Sequence, residues 1–267
     1  MNILFLSYGR FEYDGRQREL IKVCKQLGKT YYLTCAGEDY VPAEPEHICF
    51  RPAGRGAYLA FIRRAAHLFE ELGNIDVVFA DNRKATVPAL RIKKKHPGVR
   101  IIQDARELYL RSEMTSFTSR VGCIFEEKLY KKADVIIAAN DYRAQRMQQE
   151  YALQEKPLVY ENLRRLTYSP DADPAQLAQR FGDLLTGDGW RIISTSGCSL
   201  QRTNDKLVEA MAKVKRPCTL FLVGGSTAQE KAAIEALIRA NDLHCVHILG
   251  QLGQNELKYL IDHCHIG

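Results

Sequence analysis

The chain has 267 residues, of which 46% are hydrophobic and 26% charged, with a net charge of +6. Those proportions suit ordinary soluble domains and exclude a disordered, collagen-like or coiled-coil chain, and the length favours two domains over one. No apolar run approaches the roughly 20 residues of a membrane span, and the MNILFLS amino end lacks a basic region or cleavage site, so a cytoplasmic protein is expected.

Residues Asn2–Ser7 read as a buried strand ending in a turn at Gly9, and Gly15–Leu27 as a helix with Leu20, Val23, Cys24 and Leu27 on one face. Strands are expected at Thr30–Cys35 and His47–Phe50, a helix at Tyr58–Leu72 and a strand at Asp76–Ala80. A helix at Lys84–His96 is stopped by Pro97–Gly98. Strands at Val99–Gln103, Asp134–Ala138 and Leu158–Tyr160 alternate with helices at Val121–Lys132 and Tyr142–Tyr151. Repeated β-α-β units of this kind predict a doubly wound parallel sheet in a first domain of residues 1–165.

Polar, proline-containing residues 166–174 read as a linker, and residues 175–267 as a second α/β series. Its strands are Trp190–Thr195, Thr219–Val223 and Cys245–Leu249. Its helices are Pro174–Leu185, Asn204–Val214, Gln229–Ala240 and Asn255–Asp262. Three strands make a thin sheet, so the second domain is expected to be incomplete, with Val246, Ile248, Leu257 and Ile261 short of packing.

Charge is uneven. Residues 1–168 hold 28 Lys and Arg against 21 Asp and Glu, whereas residues 169–267 hold 10 against 11. A basic first domain suits an anionic partner or is simply a solvated face; Arg63, Arg64, Arg91, Lys93–Lys95 and Arg100 would supply a patch for acidic lipid. No nucleic-acid-binding signature is present. The eight cysteines include no CxxC pair and read as reduced.

Ligands of open parallel sheets collect at the carboxyl ends of the strands. There the first strand is followed by Gly9, Arg10, Gly15, Arg16 and Arg18, a flexible, basic turn without the GxGxxG spacing of a dinucleotide site. Asp104, Arg106 and Glu107 follow the Val99–Gln103 strand and either line a cleft or pair with one another, Glu107 with Arg111 at helical spacing. In the second domain, Ser194, Ser196 and Gly197 precede Arg202 and Lys206 at a helix start, a plausible diphosphate cradle. Gly224, Gly225 and Gly250 end the next two strands. Asp171 and Asp173 read as a turn or helix cap, and His244, Cys245, His247, His263, Cys264 and His265 lack a zinc spacing, so no metal is expected.

Taken in order, these segments resemble the retaining, two-Rossmann-domain (GT-B) glycosyltransferases of the family-4 type. DGRQRELIKVCKQLGK, IDVVFADN, IIQDARELY, FEEKLYKKADVIIAAND and PLVYENL resemble its first domain; ISTSGCSLQRTNDKLVEAM, TLFLVGG and VHILGQLGQNELKYLIDHCHIG its donor-binding half. The resemblance implies transfer of a sugar from a nucleoside diphosphate to a glycan or lipid-linked acceptor with retention, without a metal cofactor. It places Arg202, and more weakly Lys206, on the donor diphosphate, and Gly224 and Gly225 on the nucleotide. Gly9, Gly15 and Arg16 fall on the loop facing the cleft, and Asp104 and Glu107 on an Asp-Ala-His-Glu-Leu motif. Two departures stand out: Arg106 replaces the motif histidine, and the sequence stops before the family's Glu-x7-Glu segment. They give weight to a rival, a non-catalytic GT-B-like binding or partner subunit.

Overall fold

The computed structural model describes residues 1–161 and 166–267. The chain divides into two compact units, Met1–Arg164 and Arg165–Gly267. The expected boundary at residue 165 and the Asn162–Leu163 end of PLVYENL lie outside the described residues.

Unit 1 is built on seven parallel strands: β1 (Asn2–Arg10), β2 (Lys29–Cys35), β3 (His47–Phe50), β4 (Val77–Asp81), β5 (Arg100–Ala105), β6 (Val135–Ala138) and β7 (Leu158–Val159). Their order is β3-β2-β1-β4-β5-β6-β7. Helices α1 (Gly15–Leu27), α2 (Ala57–Leu72), α3 (Thr86–Lys95), α4 (Phe117–Tyr130) and α5 (Asp141–Tyr151) connect them. The pleat sends alternate side chains to opposite faces. Ile3, Phe5, Val77 and Phe79 meet Leu20, Ile21 and Cys24 of α1, with Phe5 stacked on Phe79 at 4.8 Å. Leu4, Leu6, Val78 and Ala80 meet Phe61, Ala65 and Leu68 of α2 and Ala89 and Ile92 of α3.

Several local expectations are corrected. Val23 and Leu27 of α1 are exposed, and Gln17, Leu20, Ile21 and Cys24 form the buried stripe. The expected Lys84–His96 helix splits, because Asn82 adopts φ 62° and ψ 179° and its Oδ1 accepts a hydrogen bond from the Arg83 amide. A tight turn, Arg83–Ala85, therefore precedes α3. Helix α4 starts earlier than expected, at the Ser116 cap, whose hydroxyl accepts from the Ser119 amide.

Unit 2 has three parallel strands, β8 (Trp190–Ser194), β9 (Cys218–Val223) and β10 (Val246–Gly250), in the order β10-β9-β8. Helices are α6 (Pro174–Phe181), α7 (Asn204–Met211), α8 (Ala228–Ala240) and α9 (Gln254–His263). Asp173 caps α6, accepting from the Ala175 and Gln176 amides. Both faces of the sheet are covered: Val208, Met211 and Ile234 pack on Leu220 and Leu222, and Leu177, Phe181 and Leu260 on Ile193, Phe221 and Val223. Val246, expected to lack packing, is buried within the first of these clusters. Beyond α9, Ile266 bridges Ile192 in parallel on the side of β8 away from β9. Among the described residues no helix is long and apolar enough to cross a membrane.

Candidate functional site

In unit 1 the sheet winds in opposite directions from β1 and β4, so the crevice at their carboxyl ends is where a ligand meets a doubly wound sheet. The register pairs Ser7 with Asp81 and Asp81 with Asp104. Since three successive strands end in polar side chains on one level, the chain must neutralise two buried carboxylates there. Two arginines do so. Arg16, on the first turn of α1, donates from Nε and Nη2 to Asp104 at 2.8 and 2.6 Å and from Nη1 to the Tyr160 carbonyl at 2.8 Å. Arg106 donates from Nε and Nη2 to Asp81 at 2.7 and 2.6 Å and from Nη1 to Asp14 at 2.5 Å, and lies 3.5 Å from Asp104. Burial lifts the Asp81 carboxyl to about 7, although Arg106 pulls it down. Burial works against the charge of Arg106, but Asp81 and Asp14 outweigh it and raise its pKa.

The structure thus brings together Arg16, Asp104 and Arg106 and adds Asp14 and Asp81. Arg16 is 6% exposed, so the expected loop cation is spent inside the fold. Glu107 stands apart: it is exposed and pairs with Arg143 of α5 at 2.9 Å, not with Arg111. At Gly9 the fit is tight, since a Cβ there would lie 3.1 Å from Asp14 Oδ2 and 3.2 Å from Ser7 Oγ and those side chains would have to give way. Gly15 opens α1 behind its Asp14 cap. Asp81 could have been found from the sequence as an acid ending an otherwise apolar strand, VVFAD; Asp14 carries no such signal beyond its capping position.

In unit 2 the strand ends carry a serine and glycine cluster. Gly197, Gly224 and Gly250 have φ of 62°, 134° and 67°. A Cβ on Gly197 would lie 2.6 Å from the Gly225 carbonyl oxygen, and one on Gly224 would lie 2.9 Å from the Gly197 amide nitrogen. The two turns therefore pack backbone against backbone, joined by a hydrogen bond from the Gly197 amide to the Val223 carbonyl at 2.9 Å. Gly250 and Gly225 meet no such crowding, so Gly250 is kept for its left-handed backbone alone. Buried Asn204, at the start of α7, donates from Nδ2 to Ser196 Oγ and to the Gly197 carbonyl, both at 2.8 Å, and accepts from Ser194 Oγ at 3.0 Å. Ser226 Oγ accepts from the Cys198 amide at 2.7 Å.

The cations differ. Lys206 is held by Glu209 at 3.0 Å. Arg202 is exposed and has no side-chain partner among the described residues, and it precedes Thr203, which holds a left-handed φ of 58° without a side-chain cap for α7. A cavity of about 340 Å³, lined by Gly224, Gly225, Ser226, Gly250 and Gln251, opens beside this cluster at the ends of β9 and β10. A larger concavity, about 590 Å³, lies where β6 and β7 begin, away from the strand ends that aim amides at a ligand. Asn204 and Ser226 were not singled out by the sequence; a polar side chain at a helix start reads there as an ordinary cap. Among the described residues no group of three or more His, Cys, Asp or Glu side chains could hold a metal ion. His265 instead accepts from the Arg191 amide and His244 pairs with Asp242.

No protein-family model and no curated relative matches the chain. Solved structures do. The chain is similar to sucrose-phosphate synthase from Thermosynechococcus elongatus, with a TM-score of 0.73 and 14% identity over 98% of this chain and 73% of that one. It is similar to Anabaena HepE in complex with UDP and glucose, with a TM-score of 0.70 and 19% identity over 99% and 72%. The UDP-GlcNAc 2-epimerase of Methanocaldococcus jannaschii aligns at a TM-score of 0.64 and 10% identity, over 100% and 78%. At these identities the likeness establishes the fold: two α/β units on parallel sheets, as in GT-B glycosyltransferases.

Proposed function

We propose that the chain transfers a hexose or N-acetylhexosamine from a nucleoside diphosphate, held by unit 2, to a glycan or lipid-linked acceptor, held by unit 1. One observation carries this reading: at the strand ends of unit 2 the Gly197 and Gly224 turns pack against each other beside a cavity lined by Gly224, Gly225, Ser226, Lys231 and Gly250, and the loop that leaves Gly197 carries Arg202, without a side-chain partner among the described residues, to the uncapped start of α7. A diphosphate leaving group gains negative charge as the sugar departs, and a cation with helix amides stabilises that charge. No metal is invoked. HepE, solved with UDP and with UDP-glucose, supports UDP as the nucleotide. Retention, with the leaving phosphate assisting the acceptor hydroxyl on one face of the sugar, and membership of the family-4 type follow from the sequence resemblance.

Calorimetric titration with UDP tests the reading. Arg202→Ala should weaken binding by tenfold or more, since a charge-assisted bond to phosphate contributes about 1.5–3 kcal/mol, while Arg216→Ala, also exposed, should not. Equal losses would overturn it. One observation favours the non-catalytic alternative: Arg106, at the position of the motif histidine, is spent on Asp81 and Asp14. UDP binding without turnover of UDP-glucose would support that alternative.

Peripheral association with acidic lipid belongs to the same proposal, on a smaller patch. Arg64 pairs with Glu71, Lys95 with Glu70, and Lys93 donates to the Val99 carbonyl, leaving Arg63, Arg91, Lys94 and Arg100. Flotation with acidic liposomes that shows no binding at low salt would remove this part.

A further inference from the structure

The carboxyl edge of unit 1 has two faces, and the ion cluster occupies only one. The pleat that turns Ser7 and Asp81 toward α1 turns Tyr8 toward α2. There the Tyr8 ring meets Tyr58 edge-on at 5.5 Å and Phe61 at 5.1 Å. Lys84, in the turn after β4, holds its ammonium 4.7 Å from the centre of the Tyr8 ring and 5.9 Å from that of Tyr58. Its position is fixed from two sides. Tyr58 Oη donates to the Lys84 carbonyl at 3.0 Å, and Asn82, two residues earlier, holds a left-handed φ that asparagine seldom adopts with an extended ψ.

This cation is uncommitted. Arg16, Arg106, Arg83 and Arg143 are all consumed by carboxylates or carbonyls. Lys84 and Arg10 are exposed, and their side chains have no hydrogen-bond or ion-pair partner among the described residues. Arg10 stands two residues beyond Tyr8 on β1, in register with Cys35, and Lys84 lies over the Tyr8 ring, so both cations sit at this strand end and both pull down the Cys35 thiol against the burial that raises it to about 11. An ammonium anchored on aromatic faces keeps its charge for a partner, and the ring edges beside it offer apolar surface to the C–H face of a sugar.

We propose that Lys84, with Arg10, Tyr8 and Tyr58, forms an anion subsite for a negatively charged acceptor sugar, carrying either a phosphate or a carboxylate. The proposal rests on the reading of unit 1 as the acceptor side and specifies the acceptor's charge.

The test is calorimetric titration of the full chain with glucose 1-phosphate, glucuronate and methyl glucoside. At least one anion should bind more tightly than methyl glucoside. Lys84→Gln should weaken that anion about tenfold and Lys84→Arg should retain it, with thermal midpoints unchanged, whereas Arg202→Ala should leave it unaffected. Preference for glucose 1-phosphate identifies a phosphate subsite and preference for glucuronate a carboxylate subsite, and either supports the proposal. Anion binding that equals that of methyl glucoside, or that survives Lys84→Gln or falls equally with Arg202→Ala, overturns it. UDP binding, read in parallel, reports on the transferase reading separately: a chain that fails to bind UDP yet shows the Lys84 effect keeps the subsite and loses the donor.

Discussion

Replacing Arg16 distinguishes a ligand-facing cation from an internal lock. Its guanidinium makes two bonds to Asp104 and one to the Tyr160 carbonyl, and lies 4.8 Å from the centre of the Tyr160 ring. Asp104 is 0% exposed, so in Arg16→Met its carboxylate keeps only the more distant Arg106, at 3.5 Å. Breaking one side of a buried pair costs about 3–5 kcal/mol, a large part of the roughly 5–15 kcal/mol that stabilises a domain. With a urea dependence of about 2 kcal/mol per molar, the midpoint of unit 1 should fall by about 1.5–2.5 M. Far-UV circular dichroism would follow that transition. Trp190, the single tryptophan, sits in β8 and follows unit 2 by fluorescence, so its transition should stay in place. Arg16→Met with Asp104→Leu should recover much of the loss, because no unpaired charge remains buried. A single variant that shifts the midpoint by less than about 0.5 M would refute the lock and return Arg16 to a ligand-binding role.

Acidity supplies a second prediction. The Asp81 carboxyl is raised to about 7 in the folded chain, so between its ordinary value near 4 and pH 7 the folded state holds a proton that the unfolded state has lost. Stability from this group is present below about pH 4 and is lost as pH rises through 7; Glu126, raised to about 7 by burial against the pull of Arg83, acts in the same direction. The fall in Tm between pH 4.5 and 7.5 should be shallower in Asp81→Asn, and an unchanged slope would contradict the assignment. Glycine substitutions supply a third. Gly197→Ala, with its Cβ 2.6 Å from a carbonyl oxygen and a φ of 62°, should destabilise unit 2 by about 2 kcal/mol or more, whereas Gly182→Ala, at φ −53° with open space around it, should stabilise it by about 0.4–1 kcal/mol. Trp190 fluorescence during urea unfolding reads both.

The two-unit parallel architecture was legible because apolar runs such as ILFL and VVFA can only be strands covered on both faces, and the helices between them repeat at the right spacing. That Arg106, Gly197 and Gly224 follow strands was legible for the same reason. Their partners were not. Nothing in DGRQREL distinguishes an Arg16 aimed at solvent from one folded back onto Asp104, 88 residues away, because the choice is made by the level at which β5 ends beside β1 and β4. Glu107 shows the same limit: its spacing to Arg111 suggests a helical pair, but the chain leaves helical geometry there and α5 supplies Arg143 instead. The Asn82 turn was invisible too, because a left-handed asparagine leaves no trace in hydrophobic periodicity, and it is this turn that sets Lys84 over Tyr8.

The same winding rule places the donor end of unit 2. With β10 and β9 on one side of β8 and Ile266 bridging Ile192 on the other, the chain changes direction at β8. The Ile193 amide donates to the Ile266 carbonyl at 2.9 Å, and the His265 amide to the Arg191 carbonyl at 2.8 Å, so this edge is bonded to backbone. The crevice of a doubly wound sheet lies where the strand order reverses, which here is the carboxyl end of β8 at Ser194. Ser194, Ser196 and Asn204 form their network at that point, and the α7 start with unpaired Arg202 follows directly. In unit 1 the equivalent reversal falls between β1 and β4, where Ser7 stands beside Asp81. The two reversals are chemically opposite. The one in unit 1 is filled by carboxylates neutralised by arginine. The one in unit 2 is lined by hydroxyls, an amide side chain and glycine turns beside a free cation. In the proposed reaction this contrast supports placing the donor diphosphate in unit 2 and the acceptor in unit 1.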